Sequence, residues 1–335
     1  MNIGVVVNKK YGEYSHHTDS VNKITRILLE EYERNNVNFH IEKQKLIVHK
    51  NHLFQKFLNL LETIKFQFKP LNYDVLHVIS ESQLTLGSFS SKKIIVTLHG
   101  AEYFSHPELR ASSRKNMSER LSRTLIRCFK NKIDLFTTVS CWAANIWGQG
   151  FGISPDKIKI IYNPINKKYF EGNGSDKKKR QVVFLGNTKK QKNLDRVLKA
   201  SEKFYQNYGY RLVLVGPNKN TYEQSFITNY GVLSDDDLQK VVGESEIMIF
   251  TSLVESFGMP AIEGSLMGCK VLTSKNTALP EVTMQAETYV DPYSSDSIYL
   301  GLQKIMERKF TQLDYSAYHP KQIASEYLML YRSLL

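Results

Sequence analysis

The chain has 335 residues, 41% hydrophobic and 23% charged, which is too long for one ordinary core and suits two domains of roughly 150 residues each. Disordered and fibrous classes are excluded by that composition, and no apolar run approaches the roughly 18 residues of a membrane span. The formal charge of +12 is uneven, with 23 Lys+Arg against 14 Asp+Glu in residues 1–165 and 22 against 19 in the remainder, so an acidic partner is expected for the first half.

Met1–Val7 is too short for a signal peptide and reads as a first buried strand within Asn2–Asn8. Further strands rich in Val and Ile are expected at Asp74–Ile79, Lys93–Leu98, Leu135–Val139 and Lys157–Tyr162. Between them, Thr18–Arg34 and Leu53–Phe68 carry apolar residues three and four apart and predict helices. Asn166–Arg180 is a polar, glycine-containing run and reads as a linker. Alternation restarts with strands at Val182–Leu185, Arg211–Val215, Glu246–Thr251 and Lys270–Ser274. Helices are expected at Asn193–Gln206, Asp235–Gly243, Pro260–Met267 and Ser295–Glu307, with a last one over Gln322–Leu335. Strand–helix alternation of this kind implies parallel sheets covered by helices on both faces. The expected organisation is an α/β chain with a first domain over 1–165, the linker 166–180, a second domain over 181–312 and a terminal segment 313–335 that packs back on the first. A cleft between the domains is the natural ligand site.

Cys128, Cys141 and Cys269 are scattered and show no metal spacing, which argues against a disulfide framework and for a reducing, cytoplasmic setting. No nucleic-acid recognition motif accompanies the positive charge. Arg110–Lys132 concentrates eight basic residues with Leu121, Leu125 and Phe129 on one helical side. It reads either as a solvated helix with one core-facing stripe or as a peripheral contact with the anionic inner face of a membrane.

The most informative stretch is Thr251–Val271. A strand ends near Thr251, a loop carries Glu255, and a helix opens around Gly258–Pro260, where proline suits the first turn. Such a helix start directs unpaired N–H groups at the loop's occupant and favours phosphate. Glu263 follows about one turn inside. One carboxylate can accept hydrogen bonds from sugar hydroxyls and the other from a ribose diol. His99 stands at the carboxyl end of the strand Lys93–Leu98, where sheets of this type bind ligands. Asp235-Asp236-Asp237 after Ser234 reads as a capped helix start rather than a metal site.

Glu255 and Glu263, separated by the seven residues Ser-Phe-Gly-Met-Pro-Ala-Ile, resemble the E-x7-E motif of retaining glycosyltransferase family 4. Phe184–Asn193, Leu214-Val215-Gly216, Thr277–Val282, Thr138-Val139-Ser140 and Lys157–Asn166 resemble the family's other segments in the same order, over residues 90–305. The resemblance implies a GT-B fold of two facing Rossmann-like domains. It also implies a metal-free reaction that moves a hexose from a nucleotide diphosphate sugar to an acceptor hydroxyl, in the making of surface polysaccharide, lipopolysaccharide or lipid-linked glycan. No cofactor is expected.

By the same resemblance, Lys192 would bind the donor diphosphate, Glu263 the ribose and Glu255 the sugar. Gly186, Asn187, Gly216, Ser256, Phe257 and Gly258 would complete the donor site. His99 would serve the sugar or acceptor, and Tyr14 and His16 would shape the acceptor pocket. Two departures stand out: Asn187 follows Gly186 where the family often has Arg, and Gly12 is the single glycine of the Lys9–His17 loop where the family is glycine-rich. The stretch from His99 to Glu108 resembles a mannosyl- and rhamnosyltransferase subgroup, which favours GDP-mannose over a UDP-hexose. A nucleotide-sugar epimerase and a non-catalytic nucleotide-sugar-binding subunit are the alternatives.

Overall fold

The computed structural model describes residues 2–7, 20–44, 52–106, 117–172, 178–217, 222–284 and 288–335. They form two compact units: one takes the chain up to Pro164 together with Pro320–Leu335, and the other takes Ile165–His319.

In unit 1 the strands are β1 (Ile3–Val6), β2 (Phe39–Glu42), β3 (Val75–Val78), β4 (Lys93–Leu98), β5 (Leu135–Thr138) and β6 (Ile158–Ile160). They form one wholly parallel sheet in the order β2-β1-β3-β4-β5-β6. The connecting helices are α1 (Ser20–Arg34), α2 (His52–Phe68), α3 (Glu102–Ser105), α4 (Met117–Phe129) and α5 (Cys141–Phe151). Central strands such as Val75–Val78 are buried along their whole length, as a parallel sheet covered on both faces requires. Helix α5 shows how sequence sets the boundaries. Ser140 caps its start by accepting from the Ala143 amide, and Gly152 ends it at φ 61°.

Unit 2 opens with α6 (Lys167–Glu171) and holds β7 (Lys179–Leu185), β8 (Arg211–Val215), β9 (Ile227–Gly231), β10 (Ser245–Phe250), β11 (Lys270–Ser274) and β12 (Thr288–Val290). These strands are also all parallel, in the order β12-β11-β10-β7-β8-β9. Its remaining helices are α7 (Leu194–Tyr208), α8 (Asp235–Glu244), α9 (Met259–Leu266), α10 (Leu279–Val282) and α11 (Ser295–Glu307). Val197, Phe204, Leu212, Ile247, Leu272 and Leu302 lie in its core. The segment expected as a linker is only partly one. Residues 167–171 form α6 and bury Tyr169, and Lys179 and Arg180 already belong to β7. The Asp235–Asp237 run is a helix start, with Ser234 Oγ accepting from the Asp237 amide at 3.1 Å.

The last helix, α12 (Pro320–Ser333), belongs to unit 1. Ile323, Ala324, Tyr327 and Tyr331 pack with Ile3, Val5, Leu28 and Val75 in its core. A buried polar chain fixes the helix there. His77, mid-strand in β3, meets the Tyr331 hydroxyl through Nδ1 at 2.6 Å and Thr97 Oγ1 through Nε2 at 2.7 Å. Tyr331 also bonds Tyr32 at 2.7 Å, and Thr97 bonds Thr137 at 2.6 Å. Burial lowers the His77 pKa to about 3, so the imidazole is neutral and both its nitrogens are satisfied.

Candidate active site

The residues expected at the donor site gather at the carboxyl edge of the unit 2 sheet. Lys192 closes the loop after β7, and its Nζ donates to Glu255 Oε1 at 2.6 Å. The two side chains are only 19% and 15% exposed, so the pair is poorly screened by solvent. The same ammonium lies 5.2 Å from the Phe250 ring centroid. Backbone bonds hold the two loops together: the Leu253 amide donates to the Gln191 carbonyl at 2.8 Å.

Asn193, which sequence reasoning placed at a helix start without giving it a role, governs this loop. It takes the left-handed conformation (φ 63°), which Asn tolerates better than other non-glycine residues. Its side-chain amide donates to the carbonyls of Thr251 (2.9 Å) and Pro292 (2.7 Å), and its Oδ1 accepts from Arg196 at 2.9 Å. One buried amide therefore ties the Lys192 loop to the ends of β10 and β12.

Gly186 and Gly216 touch. The Gly186 amide donates to the Val215 carbonyl at 3.0 Å. A Cβ on Gly216, whose φ is 133°, would stand 2.1 Å from the Gly186 carbonyl oxygen. Asn187 uses its Oδ1 to accept the Lys189 amide at 3.0 Å, so its side chain organises the loop where an arginine was the family expectation.

Gly258 starts α9 at φ 107°, and a Cβ there would stand 2.5 Å from Leu279 Cδ2. Of the two residues before it, Ser256 is half-buried and Phe257 sets its ring edge-on to Tyr318 at 5.4 Å. Glu255 is gripped from the β11 side: its amide donates to Thr277 Oγ1, and its carbonyl accepts from the Ala278 amide, both at 3.3 Å. Thr277 sits at φ 61°, a strained conformation for a β-branched residue. Glu263 lies inside α9 and is buried at 3% exposure. Its charge is among the causes that raise the Tyr169 hydroxyl pKa, after burial.

At the carboxyl edge of the unit 1 sheet, His99 donates through Nε2 to the Ile79 carbonyl at 2.9 Å, and its amide donates to Glu81 Oε2 at 3.2 Å. Burial lowers its pKa to about 4 against the opposing pull of the Ile79 bond. The imidazole is thus neutral with the proton on Nε2, which leaves the Nδ1 lone pair as an acceptor. Glu81 is buried beside it and also receives Ser80 Oγ at 3.2 Å. No sequence motif marked Glu81, because it follows Ile79-Ser80 without a patterned partner. Tyr14 and His16 lie outside the described residues. Among the described residues, no three His, Cys, Asp or Glu side chains cluster as metal ligands.

Two parallel six-stranded sheets in tandem, each covered by helices, define the GT-B class of fold. The solved sucrose-phosphate synthase of Thermosynechococcus elongatus shares it, with a TM-score of 0.75 and 15% identity over 99% of this chain and 98% of that one. The model of Glycosyltransferase Family 4 matches residues 25–169, and that of Glycosyl transferases group 1 matches residues 165–322. The two matches together run from residue 25 to residue 322, so both units resemble glycosyltransferases.

Its curated relatives include an uncharacterized glycosyltransferase, MJ1607, of Methanocaldococcus jannaschii, 25% identical over 47% of this chain and 46% of that protein. The O-antigen chain mannosyltransferase RfbU of Salmonella typhimurium is 21% identical over 63% of this chain and 60% of that protein. The matched region thus spans about half the length of such relatives.

Proposed function

We propose that the chain is a retaining, metal-independent hexosyltransferase working on a nucleotide diphosphate sugar, GDP-mannose first and a UDP-hexose second. Its acceptor is a hydroxyl of a surface polysaccharide, lipopolysaccharide or lipid-linked glycan, met at the cytoplasmic face of a membrane. The Lys192–Glu255 pair at the mouth of α9 carries this reading. The departing nucleotide diphosphate gains negative charge, which the Lys192 ammonium and the amides around Ser256–Gly258 would neutralise without reorganisation. Glu255, oriented by Thr277 and Ala278, would hold sugar hydroxyls, and Glu263 the ribose. The anomeric carbon acquires oxocarbenium character, as in glycoside hydrolysis. Attack by the acceptor from the same face, with the leaving phosphate oxygen taking its proton, would retain configuration. His99, neutral and offering Nδ1, would accept from a sugar or acceptor hydroxyl. The resemblance to an O-antigen mannosyltransferase supports the mannosyl and polysaccharide parts of the reading. Arg110–Lys132 would add an electrostatic contact with anionic lipid.

A thermal-shift panel of GDP-, UDP- and dTDP-sugars identifies the donor, since binding to the native state raises its apparent stability. Product analysis with that donor and an acceptor then gives the linkage. Turnover that survives Glu255→Ala, or that is abolished by chelator and restored by manganese, overturns the site or its metal independence. Donor turned into its isomer without acceptor favours an epimerase.

A further inference from the structure

Helix α2 presents an apolar surface that the transfer reaction does not use. Phe57, Leu60, Leu61, Ile64 and Phe68 are each between 37% and 65% exposed. At 100° per residue these five positions fall within an arc of about 100°. The helix packs its other side on residues 86–90, and the Gln44 amide ties it down by donating to Thr63 Oγ1 at 2.8 Å. Single exposed apolar residues are ordinary on protein surfaces, but a continuous stripe marks an interaction site.

Charge identifies what covers it. Residues 43–132 hold 16 Lys+Arg against 6 Asp+Glu, which is +10 of the chain's +12. Lys65, 73% exposed and paired with Glu62 at 3.0 Å, stands on one flank of the apolar arc. Helix α4 packs on residues 81–83 of the same segment that carries α2, and Phe89 of that segment contacts Phe129 at the end of α4, ring centroids 5.2 Å apart. Arg120, Arg127 and Lys132 are exposed there. A second copy of this surface would bring like charges together and is disfavoured. An anionic bilayer accepts both features: apolar side chains enter the boundary between headgroups and acyl chains, and the exposed cations Lys65, Arg120, Arg127 and Lys132 reach lipid phosphates.

We infer that α2 is an interfacial helix that docks unit 1 on an anionic lipid surface, with the exposed cations of α4 as an electrostatic supplement. The inference deepens the membrane part of the proposed function, and vesicle binding is measured apart from turnover so that either can fail alone.

The test is co-sedimentation of the full chain with phosphatidylcholine vesicles, with and without about one-third phosphatidylglycerol. The expected result is binding that depends on the anionic lipid and weakens as salt rises. Ile64→Asp should weaken it at least ten-fold, and the milder Leu60→Ser/Ile64→Ser pair should act in the same direction. Circular dichroism and an unchanged thermal midpoint establish that each variant is folded. Arg120→Glu/Arg127→Glu should lower affinity and flatten the salt dependence while leaving a residual component lost in Ile64→Asp. The inference is overturned if wild type ignores anionic vesicles, or if the folded α2 variants bind as wild type does. It is equally overturned if wild type sediments as a dimer that Ile64→Asp splits, with no vesicle binding.

Discussion

Replacing Lys192 by Met keeps an unbranched stem against Phe250 and removes the ammonium. In the native protein Nζ lies 2.6 Å from Glu255 Oε1, with both side chains more than four-fifths buried. A hydrogen bond to a charged group in such a place contributes about 1.5–3 kcal/mol. For a unit the size of residues 165–319, that loss lowers the unfolding midpoint by about 3–12 °C. If the ammonium contacts the donor diphosphate, a loss of the same size there weakens nucleoside diphosphate binding by about 10- to 150-fold. Nucleoside monophosphates lack the distal phosphate and should weaken much less. Titration calorimetry with GDP, UDP and their monophosphates, alongside thermal unfolding, reads both effects. Glu255→Gln removes the partner charge, so the double variant should be more stable than the two single losses predict by simple addition. A variant that binds GDP and UDP within two-fold of wild type refutes the diphosphate role. Stability losses that merely add refute the pairing.

Gly216→Ala brings a Cβ to 2.1 Å from the Gly186 carbonyl oxygen at φ 133°. It should cost about 3 kcal/mol or more and abolish nucleotide-induced stabilisation, whereas a urea midpoint close to wild type would contradict this packing. Thr277→Gly relieves about 1–2 kcal/mol of left-handed strain and loses the bond to the Glu255 amide together with glycine's extra unfolded entropy. Stability should therefore change little while kcat/KM falls about ten-fold; a proportional loss of both points to scaffolding alone. His77 and His99 titrate near 3 and 4 in the folded protein, because burial disfavours their charged forms, and near 6.5 when unfolded. The unfolded chain thus binds more protons between about pH 4 and 6.5, so stability falls as pH drops through that window. Each imidazole contributes about 1.4 kcal/mol per pH unit. Urea midpoints at pH 7 and 5 should show the decline, and His77→Gln should remove about half of it; a flat profile in the native chain speaks against the buried neutral imidazoles.

Sequence reading recovered the strands that lie inside the sheets, because continuous Val, Ile and Leu runs such as Leu212–Val215 have no polar face to confuse the pattern. It missed Phe39–Glu42, Ile227–Gly231 and Thr288–Val290, and all three are edge strands. The first two are short and half-wet, so His40, Glu42, Asn229 and Tyr230 interrupt the apolar signal. The third is only three residues long. Lys192 and Glu255 were singled out by the family resemblance, and their side chains are in direct contact. Asn193 and Thr277 were not singled out, since a left-handed backbone leaves a trace only where glycine marks it. Glu81 and the His77–Tyr331–Tyr32 chain were beyond reach for another reason. Their partners lie up to 299 residues apart, and no local period encodes such a meeting.

That last separation bears on the order in which the protein matures. Every strand of unit 2 is complete once residue 290 has been made, and its chain closes at His319. Unit 1 begins earlier but lacks Tyr327 and Tyr331 until the final turns of α12 leave the ribosome. The half encoded second is therefore ready to fold first, and the half encoded first waits with an open apolar seam where α12 belongs. A released chain cut after His319 should accordingly expose unit 1 to proteases and chaperones while unit 2 is already resistant.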